Sequence, residues 1–300
     1  MNNYVTLLNH VFLPQCLSLH SSLLRHVEGF KLWILCVDDL AYKILSDINL
    51  TNVVLMKLSE YETQDLIDLK KTRSIGEYCW TLTPFAPKFV FSVDPTVMTV
   101  TYIDADICFY NNPASIFEEF DNTNKSVLIT DHAFSPDCDQ SSLYGKYCVQ
   151  FIIFRRNDSE IVRKWWEDKC VDWCFSYSDN GRFGDQKYLD RWPRQFKEYV
   201  HVLNQKELCL GPWNSSRFPY SDCVFYHFHN VRIINNKPIV LGNYKIPKPT
   251  FKNIYVPYFN DLEKSVGILK EVGFSSINQT RRPFLISKLL IRIRFLLSGK

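Results

Sequence analysis

The chain has 300 residues, 46% of them hydrophobic and 22% charged, with a formal net charge of +3. That length is ample for a sizeable core, and the balance is that of an ordinary globular protein. So small a positive excess gives no ground for a nucleic-acid partner, no apolar run is long enough to span a bilayer, and aromatic residues at 15% suit a deep core or sugar-stacking surfaces.

The ten cysteines raise the question of a disulfide framework. Met1, Asn2, Asn3, Tyr4 and Val5 offer no basic region ahead of an apolar core, so no signal peptide is expected. No Cys-x-x-Cys occurs, and Cys170 and Cys174 share one face of an expected helix. The expectation is reduced, mostly buried thiols in a cytoplasmic protein.

In chain order, residues 4–8 read as a strand and 14–26 as a helix with Cys16, Leu17, Leu19, Leu23 and Leu24 among its apolar positions. Residues 31–37 form a nearly continuous apolar run, as in a strand covered on both faces, and end at Asp38 and Asp39. A helix over 40–48 and a strand over 53–58 complete a βαβαβ alternation, which predicts a parallel sheet with helices on both faces. Ligands of such sheets bind beyond the carboxyl ends of the strands. A short acidic helix is expected over 60–69. Another helix opens within 80–90, where Pro84 and Pro87 are tolerable in a first turn. Lys88, the lone cation of that stretch, either snorkels to solvent or faces a phosphate.

The stretch over 100–109 reads as a buried strand that ends in two carboxylates, Asp104 and Asp106. A strand points residues i and i+2 to the same side. Two buried carboxylates need neutralising, and a divalent cation shared with phosphate oxygens would do this. The bland alternative is a turn with two solvated acids. Asp38, Asp104 and Asp106 all lie at strand ends, which points to a nucleotide site.

A helix over 115–120, a strand over 126–130 ending at Asp131 and His132, and an irregular stretch over 134–146 suited to a lid or acceptor loop follow. A strand over 147–154 precedes a helix that Asp158 or Ser159 caps and that runs to Cys174, with Val162, Trp166, Cys170 and Trp173 inward. Gly181 and Gly184 then flank a loop, after which Asp185 and Gln186 start a short helix that Pro193 stops. The pair either caps that helix or acts on a substrate. On a strand over 223–229, His227 and His229 share a face, and one imidazole could add a nitrogen ligand to a carboxylate-held metal. Residues 235–257 look like a Pro-rich extended loop. The tail over 281–297 has no acidic residue and reads as a basic amphipathic helix, either lying on a membrane surface or packed on the domain. The expected division is a catalytic domain over 1–260 and a helical tail over 261–300.

Taken together, Tyr102-Ile103-Asp104-Ala105-Asp106, Gly184-Asp185-Gln186 and His227-Phe228-His229-Asn230 follow one another in an order that resembles the nucleotide-diphospho-sugar glycosyltransferases of the GT-A fold. The nearest resemblance is to the family-8-like retaining group of bacterial polysaccharide and lipopolysaccharide enzymes, over roughly the first 235 residues. The resemblance implies an α/β fold with a mixed, mostly parallel central sheet flanked by helices. It also implies that Asp104 contacts the nucleotide–metal unit, that Asp106 chelates Mn²⁺ or Mg²⁺, and that His227 is the third ligand. Asp185 and Gln186 match the pair beside the donor sugar, and Lys88 stands where such enzymes carry a cation. The implied partners are a nucleoside-diphosphate sugar, chiefly a UDP-sugar, and a glycan acceptor; the basic tail suits a lipid-linked glycan acceptor at the anionic inner face of the cell membrane. The family's Asn-x-Gly reads Cys148-Val149-Gln150 here, Asn230 replaces a glycine, and the following Lys-Pro-Trp is absent, leaving Arg232 as a substitute diphosphate clamp. An inverting reaction would need a base, for which Asp131, His132 and Asp185 are the candidates. The rival readings are a nucleotidyltransferase or phosphohydrolase of similar fold, and an inactive membrane-bound scaffold.

Overall fold

The computed structural model describes residues 1–275 and 277–279; the tail helix expected over 281–297 lies outside them. The chain starts as β1 (Asn2–Leu8), α1 (Leu13–His26), β2 (Phe30–Cys36), α2 (Asp39–Ile48) and β3 (Val53–Lys57). β2 runs parallel to both β1 and β3, and Leu32, Trp33, Ile34 and Leu35 are all buried. This explains its uninterrupted apolar run, because helices cover both faces. Asp38 sets the start of α2 by accepting the Ala41 N–H, and Asn49 ends it in the left-handed region at φ +53.

Next come α3 (Gln64–Thr72), α4 (Ile75–Leu82) and α5 (Phe85–Val93). The acidic helix begins later than the expected residue 60, because Thr63 accepts the Leu66 N–H and so caps the start at Gln64. The helix expected within 80–90 is in fact two. Ser74 and Glu77 form a reciprocal capping box that opens α4, and Pro84 stands between it and α5.

β4 (Thr99–Ile103) then pairs parallel with β1. The strand expected over 100–109 breaks here. Residues 104–106 form a turn in which Ile107 donates to the Asp104 carbonyl at 3.3 Å, and β5 (Ile107–Phe109) leaves for a second sheet. The remaining elements are α6 (Ala114–Asp121), β6 (Val127–Asp131), α7 (Ser141–Tyr144), β7 (Tyr147–Arg155), α8 (Glu160–Asp172), α9 (Trp192–Gln195), β8 (Val200–Val202), β9 (Cys209–Leu210), β10 (Phe225–His227), β11 (Val231–Ile234), β12 (Lys237–Val240), α10 (Lys248–Thr250) and α11 (Val256–Glu271).

The central sheet has the order β3-β2-β1-β4-β7-β6-β8, mostly parallel, with β7 antiparallel to β4 and β6. Alternate residues of its strands feed two apolar layers. Leu32, Ile34, Phe151 and Ile153 pack with α1, α11 and the second sheet. Trp33, Leu35, Ile152 and Phe154 pack with α4, α5 and α8. That second sheet, β5-β10-β9, sits beyond the end of β4.

Two further expectations are corrected. Pro193 does not stop the helix after Asp185: a 3-10 turn over Gln186–Arg191 runs into α9, with Pro193 in its first turn, where a missing N–H costs little. Residues 235–257 are not one extended loop. Asn235 and Asn236, at φ +51 and +62, make the tight turn of a β11–β12 hairpin, and helix resumes at Lys248. Tyr258, Leu262, Val266 and Leu269 of α11 are buried in the core, so the division expected at residue 260 falls inside a core helix. All ten cysteines are free thiols, and all but Cys79 and Cys138 are buried. Among the described residues no helix is long and apolar enough to cross a membrane.

Candidate active site

The sheet carries its chemistry at the carboxyl end of β4. The turn after that strand presents Asp104 and Asp106, and two backbone bonds fix it. Asp104 donates its N–H to the Gln150 carbonyl at 3.1 Å, and the Asp106 carbonyl accepts the Phe228 N–H at 2.9 Å. Because β10 pairs antiparallel with β5, His227 stands opposite Ile107 and its ring reaches back over the turn. Nε2 of His227 is 3.0 Å from Asp106 Oδ1 and 3.6 Å from Asp104 Oδ2. One ligand atom from each of the three side chains lies within 4.8 Å of the others. Tyr102, two residues back along the strand, donates its hydroxyl to Asp104 Oδ1 at 2.9 Å.

Electrostatics bind the three groups together. Burial works to raise Asp106, but His227, with a smaller contribution from Arg232, outweighs it and brings the carboxyl down to about 2. Asp104 is raised, first by burial and then by Asp106, with His227 working against both. Asp106 and Asp104 keep a proton on His227 well above the ordinary imidazole range, although burial opposes this. An imidazolium thus holds two carboxylates together. A divalent cation among the same oxygens and Nε2 meets the same need with more charge, and two carboxylates with one imidazole suit Mn²⁺ or Mg²⁺. The donor set fits.

No family model matches the chain. It is 32% identical over 276 residues to the uncharacterized protein YfnD of Bacillus subtilis (strain 168), a match covering 85% of this chain and 86% of YfnD. The chain belongs to the YfnD family. Among solved structures, this YfnD-family chain superposes on the glycosyltransferase GlyE of Streptococcus pneumoniae TIGR4 with a TM-score of 0.56 at 13% identity, covering 93% of this chain and 66% of GlyE. On the galactosyltransferase LgtC the TM-score is 0.52 at 14% identity, covering 88% and 95%. The fold of the YfnD-family chain is therefore GT-A.

The other expected site residues of this YfnD-family member are distributed unevenly. Asp185 is buried beside the cluster. Burial, followed by the charge of Asp104, pushes its carboxyl up to about 8, while a hydrogen bond from Thr83 works the other way. Gln186 extends its side-chain amide to the Tyr144 carbonyl at 3.0 Å. Arg232 spreads its guanidinium over Phe12 and bonds the Val231 carbonyl at 2.7 Å, with its charge felt at Asp106. Asp38 is engaged at the N-terminus of α2, where it also accepts from the His10 ring at 2.8 Å. Lys88 is 46% exposed and pairs with Glu167 on α8 at 3.4 Å. Asp131 is clamped by Lys206 at 2.8 Å and by the Ala133 N–H at 2.8 Å. His229 packs beside Trp213 and Tyr244, and burial together with His227 drives it down to about 3, so it is neutral.

Several neighbours of the cluster carry no motif of their own. Cys148 and Gln150, both pointing one way from β7, reach His227. Burial would raise the Cys148 thiol, but His132 and His227 outweigh it and bring it to about 7. Trp213 sets its ring edge-on to His227, with centroids 5.5 Å apart, and packs on His132. The alternation of Cys148 and Gln150 along an apolar strand was the signal available: two polar residues at i, i+2 in such a strand face a common partner.

Proposed function

We propose that the chain is a metal-dependent glycosyltransferase moving a sugar from a nucleoside-diphosphate sugar to a hydroxyl of a glycan acceptor. The observation that carries this reading is the convergence of Asp104, Asp106 and His227 at the carboxyl end of a central strand in a GT-A sheet. A Mn²⁺ or Mg²⁺ held by these side chains supplies the positive charge that a departing diphosphate needs. Tyr102 fixes the orientation of Asp104. Arg232, close enough to act on Asp106, adds a cation on the same side, in keeping with a clamp on phosphate.

Asp185 and Gln186 are assigned to the donor sugar. Burial, followed by the charge of Asp104, raises the Asp185 carboxyl in the metal-free protein. A retaining outcome is favoured because Asp131, a candidate base, is tied to Lys206 and to backbone. The leaving phosphate then takes the acceptor proton. The donor is assigned as a UDP-sugar and the acceptor as a growing surface polysaccharide or lipopolysaccharide. Residues 281–297 carry Arg281, Arg282, Lys288, Arg292 and Arg294 among aliphatic residues, a composition that supports attachment to the anionic inner face of the membrane.

Isothermal titration of the full chain with UDP-sugars, with and without Mn²⁺, tests this function. Metal-dependent binding, followed by slow metal-dependent hydrolysis of one UDP-sugar, is the expected result. Nucleotide binding indifferent to metal, with no sugar released from any donor, would refute it.

A further inference from the structure

The strongest unassigned feature is the way one buried residue from the middle of the sheet holds two of the three candidate ligands, one through its backbone and one through its side chain. Gln150 lies on β7 and is fully buried. Its backbone carbonyl accepts the Asp104 N–H at 3.1 Å, and its side-chain Oε1 is 3.2 Å from Nδ1 of His227. The other end of the amide, Nε2, is directed to Thr130 Oγ1 at 3.4 Å. Both Asp104 and His227 belong to the candidate metal cluster.

An amide oxygen dictates the protonation of the ring it faces. Oε1 can only accept, so Nδ1 of His227 must carry the hydrogen. The neutral ring is then the Nδ1–H tautomer, and its lone pair is on Nε2. That nitrogen is the one facing Asp106 and Asp104. A ring protonated at Nε2 instead would aim a hydrogen at the cation site and could not ligate. Metal-binding histidines generally depend on such a partner at the far nitrogen. We infer that Gln150 is a positioning residue that sets the tautomer and angle of His227 for metal ligation, while its backbone carbonyl seats Asp104. This rests on the metal reading proposed above. It also gives a physical role to a residue that stands where the resembled enzymes have glycine.

The test is Mn²⁺ titration of the full chain in the presence of UDP, for the wild type and for Gln150→Leu, Gln150→Glu and Asp106→Asn. Leucine keeps the bulk and removes the acceptor; glutamate restores an acceptor oxygen. Gln150→Leu is expected to bind Mn²⁺ about 10–100-fold more weakly, and Gln150→Glu to recover most of that loss. A merely structural Gln150 would show no such rescue. If Asp106→Asn loses Mn²⁺ while Gln150→Leu binds as the wild type does, the positioning role is wrong and the metal site stands. If the wild type binds no Mn²⁺, both fall. A second measurement needs no variant that folds: nitrogen-15 NMR of histidine-labelled wild type saturated with Mg²⁺ and UDP should show His227 protonated at Nδ1. A proton at Nε2 in that state overturns the inference.

Discussion

The Asp106 carbonyl accepts the Phe228 N–H at 2.9 Å, and this one bond joins the two halves of the candidate metal site. It docks the turn after β4 against the end of β10, and the neighbouring His227 side chain meets the Asp106 carboxylate at 3.0 Å. Asp106 should therefore be the ligand whose loss is felt most. Asp106→Asn is expected to abolish Mn²⁺-dependent UDP binding, a larger effect than the roughly 10–100-fold loss from removing a supporting residue, while far-UV circular dichroism is unchanged. Normal Mn²⁺-dependent binding by this variant would displace the metal from this site.

The two histidines should separate. His227 faces both carboxylates, whereas His229 rests against Trp213 and Tyr244 and is held neutral by burial and by His227. His227→Ala should lose Mn²⁺ affinity by about 100-fold, and His229→Ala should stay within about 3-fold of the wild type. Equal and negligible effects in the titration would make both imidazoles structural.

Asp185 should trade stability against activity. Burial and Asp104 raise its carboxyl from 3.8 to about 8 in the folded protein, so between those values the folded state holds a proton that the unfolded state has released. Stability then falls as pH rises through that window. Asp185→Asn removes this dependence. In EDTA its melting temperature should exceed that of the wild type at pH 8.5 and match it near pH 4. Turnover should drop by about 100-fold with nucleotide affinity nearly unchanged. A parallel loss of stability and turnover would make Asp185 a structural residue instead, although its side chain makes no helix-cap hydrogen bond.

Glu77 is a buried carboxylate far from this chemistry in role. It accepts from the N–H and hydroxyl of Ser74 and from the N–H and hydroxyl of Ser176, at 2.8 to 2.9 Å. Burial alone would raise it, but these donors outweigh burial and hold it below the usual range. Its contribution is therefore present above the unfolded-state value and lost as pH falls through the folded one. Glu77→Gln turns one acceptor oxygen into a donor facing other donors. It should cost about 3 kcal/mol at pH 7 and less in acid, read by urea denaturation at the two pH values, with Mn²⁺ affinity unaffected.

Truncation after Gln279 tests the membrane assignment. The Gln279 side chain is buried against Gln15, the Ile233 N–H and the Val11 carbonyl, so the cut must leave it in place. The truncated chain should keep its melting temperature and Mn²⁺-dependent UDP binding, and should no longer sediment with anionic vesicles at low salt, which the full chain does. Equal sedimentation of both forms would remove the tail from membrane binding.

A feature of this protein is legible in its sequence to the extent that its cause is local. The first three strands and their helices are legible because β2 is buried on both faces and therefore apolar from Leu32 to Cys36, while α1 and α2 repeat their apolar residues at helical spacing. The α/β class and the strand-end placement of Asp104 and Asp106 came from that alternation. The hairpin at Asn235 and Asn236 carried a local signal too, a pair of residues tolerant of positive φ between two short strands, but the prolines around it masked the signal.

The sequence by itself determined the sheet-forming runs, the two acids and the two candidate imidazoles, since each depends on residues within a few positions of one another. Only the tertiary structure decided which groups meet. The register of β10 on β5 selects His227 over His229, the antiparallel entry of β7 delivers Gln150 to both Asp104 and His227, and the ion pairs of Lys88 and Asp131 engage them elsewhere. These outcomes depend on pairings between distant segments. A hydrogen-bond register leaves no mark in either segment alone, because any neighbouring register would satisfy the same backbone groups; the burial of the whole core chooses among them.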